Sequence, residues 1–122
     1  MKRIFNFTLF LMLSLTPSFS IAADFVDGFE DVPLMRGLHQ IENQNFSFGN
    51  EESGLTEAIL TSKSQMFDNV RNHYKRVLPE LGWKLENESD KNFAFKREND
   101  ILEFSLINNR PLKILISLKS KN

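Results

Sequence analysis

A chain of 122 residues that is 41% hydrophobic and 25% charged has ordinary globular composition and room for one domain. The absence of cysteine excludes disulfides, thiolate nucleophiles, cysteine-bound zinc, iron–sulfur clusters and a lipid anchor on an N-terminal cysteine. A formal charge of -1 gives no general attraction to nucleic acid, whose binding depends on clustered lysine and arginine.

The chain opens with Lys2 and Arg3, an almost wholly apolar run from Ile4 to Leu15, and a small, turn-prone stretch after Pro17. This is the pattern of a cleaved secretory signal peptide over residues 1–22. Ser20 and Ala22 favour a cut after Ala22, with Ala23 as the neighbouring choice. The apolar run falls short of the ~20 residues a helix needs to cross a bilayer, so no integral span is expected after cleavage. Loss of two basic residues takes the formal charge to about -3. The expected location is the periplasm or the exterior of a bacterium.

Residues 23–39 combine Asp24, Asp27, Glu30 and Asp31 with Phe25, Phe29, Val32, Leu34, Met35 and Leu38. The stretch is too apolar for a solvated tail, and Pro33 with two glycines argues for irregular backbone. Its apolar side chains need a cover, supplied by the domain itself or by a partner. Phe25, Phe29, Leu34 and Met35 are therefore the candidate partner-docking residues. The acidic positions lack the alternating ligand ladder of a calcium loop.

Residues 40–122 read as a single α+β domain. Residues 44–48 and 55–61 look like a pair of strands joined across Gly49 and Gly54, although Leu55 and Ile59 oppose Ala58 and Leu60, which leaves the register open. Ser64 is a plausible N-cap for a long amphipathic helix ending near Leu78, with Pro79 and Gly82 marking its exit. Met66, Phe67, Val70, Tyr74, Val77, Leu78 and Leu81 recur at helical spacing and form one stripe.

After Gly82, period-two alternation marks four strands, carried by Trp83 and Leu85, by Phe93 and Phe95, by Leu102, Phe104 and Leu106, and by Leu112, Ile114, Ile116 and Leu118. Turns fall at residues 87–91, 98–100 and 108–111, so the strands should pair as an antiparallel meander. The expected order is β-β-α-β-β-β-β, one antiparallel sheet with a long helix packed on one face.

The run Asp31-Val32-Pro33-Leu34-Met35 followed by Gly37-Leu38, the helix tyrosine Tyr74, the turn Leu78-Pro79, Leu81-Gly82-Trp83, and the strand Phe95-Lys96-Arg97-Glu98 resemble a family of small exported alphaproteobacterial proteins of unestablished function. The resemblance spans nearly the whole chain after residue 22. It implies the α+β fold and an exported location, and it brings no catalytic residues. Arg36 stands where the family pattern carries proline.

No motif for chemistry accompanies these elements. His73 has no second histidine at helical spacing, and His39 stands in a segment with no sustained helical pattern. Neither a G-x-S-x-G elbow nor a nucleotide loop is present, and no cofactor is implied. Lys84, Lys91, Lys96 and Arg97 read as solvated, edge-protecting charges. The sequence thus points to a small non-enzymatic binding or adaptor module docking on a cell-envelope protein. The alternatives are a carrier of a small apolar ligand held between helix and sheet, or an enzyme with dispersed polar residues. Oligomeric state is left open.

Overall fold

The computed structural model describes residues 24–41, 46–49 and 53–121. The signal-peptide reading of residues 1–22 lies outside them. Among the described residues, seven strands form one antiparallel sheet. They are β1 (His39–Gln40), β2 (Phe46–Gly49), β3 (Ser53–Ser62), β4 (Lys84–Glu88), β5 (Asn92–Arg97), β6 (Asp100–Asn109) and β7 (Leu112–Lys121). The spatial order is β1-β3-β7-β6-β5-β4, with β2 pairing beside β1 along β3. The expected order gains the two-residue β1 in front of it.

Strands β5 to β7 follow the side-chain alternation closely, whereas in β4 the expected pairing of Trp83 with Leu85 on one face fails, because Trp83 is buried ahead of the strand and Leu85 is exposed beside a register shift. Phe93, Phe95, Leu102, Phe104, Leu112, Ile114 and Ile116 are all buried on one face. The open register of β3 is resolved by β7, because Ala58 pairs with Ile116 and Leu60 with Ile114. Ala58 and Leu60 therefore face the core, and Leu55 and Ile59 lie on the opposite face, half-buried.

The long helix is corrected to a short one. Helix α1 (Phe67–Val77) has 11 residues, continued by a 3-10 turn at Leu78–Leu81. Ser64 does not cap it. Ser62 Oγ instead accepts from the backbone N–H groups of Ser64 and Gln65 at 3.1 and 2.9 Å, which tightens the approach into a turn, and the helix starts two residues later than expected. Met66 occupies the N-cap position without a side-chain hydrogen bond. At the other end, Pro79 carries no N–H for an α-helical bond, and Gly82 at φ +92° closes the turn in the left-handed region.

Phe67, Val70, Tyr74 and Leu78 form the buried stripe of this helical segment, while Met66 and Leu81, read as part of it, are exposed. The stripe lies on an aromatic layer in which Tyr74 packs on Phe104 at 4.6 Å between ring centres and Phe93 stacks on Phe104 at 4.7 Å. Rings therefore fill the space between helix and sheet.

Candidate functional site

The candidate docking segment has its cover within the chain. An antiparallel bridge from Phe25 to Pro33, with Val26 N–H donating to Val32 O at 2.9 Å and Leu34 N–H to Asp24 O at 2.8 Å, closes residues 24–34 into a small loop. Val26, Phe29, Val32 and Leu38 enter the core, where Phe29 is 1% exposed. Leu34 and Met35 are half-buried against the same cluster. Phe25, at 49% exposed, is the candidate left on the surface. Phe29 is thus wholly covered by its own domain, and Leu34 and Met35 are covered in part. Burial within the chain claims the apolar area that a partner would have needed.

Three polar contacts clamp this loop, here called the strap. The Tyr74 hydroxyl donates to Pro33 O at 2.6 Å and accepts from Met35 N–H at 3.1 Å. Burial pushes the Tyr74 phenol up to about 12 against the smaller opposing pull of the Met35 N–H. Arg97 donates to Asp31 Oδ2 at 2.7 Å and to Leu81 O at 3.0 Å, with its guanidinium 4.3 Å from the centre of the Trp83 ring. Gln40 closes the third contact, accepting from Asp27 N–H at 2.7 Å and donating back to Asp27 O at 3.1 Å.

A second clamp ties the helix to the turn between β4 and β5. Arg71 packs against the neighbouring rings of Phe67 and Phe93, 5.2 and 5.4 Å from their centres. Its guanidinium donates to Asp90 O at 3.2 Å and reaches Glu88 Oε1 at 3.4 Å. Lys75 Nζ donates to Glu88 Oε2 at 2.8 Å, and that hydrogen bond holds the Glu88 carboxyl below the usual carboxylate range. His73 packs edge-on against Tyr74, and partial burial, helped by the nearby Arg76 charge, lowers its pKa.

Beside this clamp, where α1 begins, three connections meet at one end of the sheet and leave a groove of about 770 Å3. Its first wall is the approach to α1 at residues 62–66, the second the β6–β7 turn, and the third the β4–β5 turn. Phe67, Leu106 and Leu112 give it an apolar floor, and Met66, 67% exposed, stands at its mouth. Hydrogen bonds hold the walls. Thr61 Oγ1 donates to Leu112 O at 2.8 Å, Asn108 Nδ2 to Pro111 O at 2.9 Å, and Leu106 N–H to Lys91 O at 2.8 Å.

Each wall contributes one cation: Lys63, Arg110 and Lys91. None of the three forms an ion pair among the described residues. The lining also holds Asp68, whose carboxylate is 3.8 Å from Arg71 Nε, and Asp90. Apolar floor and charged rim together suit a small amphipathic ligand.

Sequence reasoning did not find this groove, because its residues come from three turns far apart in the chain. Among the described residues, no cluster of histidine and carboxylate side chains could hold a metal ion, and no helix is long and apolar enough to cross a membrane. Comparison with known proteins gives no match to a family model, a curated protein or a solved structure.

Proposed function

We propose that this chain is an exported, non-enzymatic binding module of the bacterial cell envelope, with the groove at the start of α1 as its binding site. The groove carries this reading. Its volume falls within the roughly 300–1,000 Å3 of small-molecule sites, and hydrogen bonds hold its walls. The carrier alternative is thereby modified: aromatic rings occupy the space between helix and sheet, so a ligand would lie at the end of the sheet. Export rests on the pattern of residues 1–22, and the likeness to small exported alphaproteobacterial proteins agrees with it.

A second reading is an adaptor that docks on a cell-envelope protein through the sheet face turned away from α1. It is supported by the half-buried apolar residues Leu55, Ile59, Ile101 and Leu115 on that face. The two readings separate in one measurement, native mass spectrometry of the protein recovered from its own cell envelope without denaturation. A small-molecule adduct that solvent extraction removes is the expected result. Recovery of the bare chain in stoichiometric complex with another protein would replace the groove reading with the adaptor.

A further inference from the structure

Resting on the groove reading, we infer that the ligand is a small anionic amphiphile, a single aliphatic chain ending in a phosphate or carboxylate head. Over the buried side chains of Phe67 and Leu112, the half-buried Leu106 and the exposed Met66 and Pro111 present accessible apolar surface in the groove. An aliphatic chain gains from leaving water there. At the rim, Lys63, Lys91 and Arg110 stand on three separate turns without a counter-ion among the described residues. Cations that line one groove and form no ion pair among the described residues are matched by an anion, through charge-assisted hydrogen bonds.

The acidic side chains limit how much negative charge the groove accepts. Asp68 leans on Arg71, which the rings of Phe67 and Phe93 hold in place, while Asp90 remains in the lining. Three cations against two carboxylates leave a small positive excess, enough for one compact head and too little for a polyanion. An uncharged apolar ligand would leave the rim unused. Free phosphate would leave the floor unused.

The test uses the whole protein as its cells export it, labelled with 15N, and three probes below their aggregation limits: octyl phosphate, octanol and inorganic phosphate. Octyl phosphate is expected to shift the backbone amides of Ser64, Gln65, Leu106 and Asn109, and to bind about tenfold or more tighter than either other probe. Replacing Lys63, Lys91 and Arg110 together by glutamine should lower octyl phosphate affinity to that of octanol. All three side chains are exposed, so the thermal midpoint should hold. Lys84→Gln, at the other end of the sheet, should change nothing.

Equal binding of octanol and octyl phosphate in the groove would overturn the anionic class and leave the groove reading standing. If no probe moves a groove amide, the groove reading itself fails. Flotation with phosphatidylglycerol vesicles, without binding of monomeric octyl phosphate, would assign the cations to a membrane surface and overturn the single-ligand inference.

Discussion

Tyr74 does two jobs with one side chain. Its ring packs on Phe104 in the core, and its hydroxyl satisfies both Pro33 O and Met35 N–H on the strap. Tyr74→Phe keeps the ring and strands both backbone groups, a loss expected at about 1–3 kcal/mol in urea denaturation. The phenol also sets an alkaline limit. Its folded-state pKa of about 12 lies above the ordinary 10, so the folded state holds the proton more tightly. That contribution is fully present below pH 10 and disappears as pH rises through 12, a loss of up to about 3 kcal/mol by the value of one pKa unit. The urea midpoint of the wild type should therefore fall more steeply over this window than that of Tyr74→Phe. Parallel slopes would mean that the hydroxyl is ionised equally easily in the folded and unfolded chains. Arg71 gives a second test. Its planar head serves Asp90 O and Glu88 while packing against two rings, so Arg71→Lys should cost about 1–2 kcal/mol and fail to restore the clamp. A midpoint equal to wild type would make this clamp decorative.

At the scale of elements, the strap behaves as part of the core. Phe29→Ala should destabilise by ~3–5 kcal/mol, the range for removing a buried large aromatic, whereas Phe25→Ala should cost under about 1 kcal/mol. Equal effects at the two positions would mean that the strap does not pack as described. Whether residues 24–38 covered their own domain or a partner was not legible in the sequence, because apolar side chains do not name the surface that buries them. What decides it is contact between residues remote in the chain, such as Tyr74 with Pro33 and Arg97 with Asp31. The strands were legible for the opposite reason. In β5, β6 and β7 the pairing partners are close in sequence, and alternation of side chains alone separates the buried face from the other. β3 was ambiguous because apolar residues stand on both of its faces, and only pairing with β7 chooses between them. The start of α1 was misplaced by turn chemistry: of two serines two residues apart, the buried Ser62 makes the backbone hydrogen bonds. The groove was invisible, since Lys63, Lys91 and Arg110 show no spacing that marks them as neighbours.

Over the whole molecule, no element can stand without the others. A helix of 11 residues is marginal in water by itself, so α1 persists through its buried stripe and through the strap clamped to Tyr74. Among the described residues the strap has no sheet ladder beyond a single bridge, and it depends on the same core. Helix, strap and sheet should therefore melt as one unit. Every contact named for the strap begins at Asp24 or later, so a chain cut after Ala22 keeps all of them. Export as proposed above should leave a chain that begins at Ala23, or at Asp24 after the neighbouring cut, by intact mass. In urea it should lose its far-ultraviolet helix signal, its near-ultraviolet aromatic signal and its Trp83 fluorescence at one midpoint. Phe29→Ala should move all three together, because the strap, the helix and the Trp83 environment share one core. If the aromatic signals disappear before the helix signal, the strap is a separable layer over a sheet and helix that fold without it. Residues 24–38 would then be free to exchange their own core for a partner.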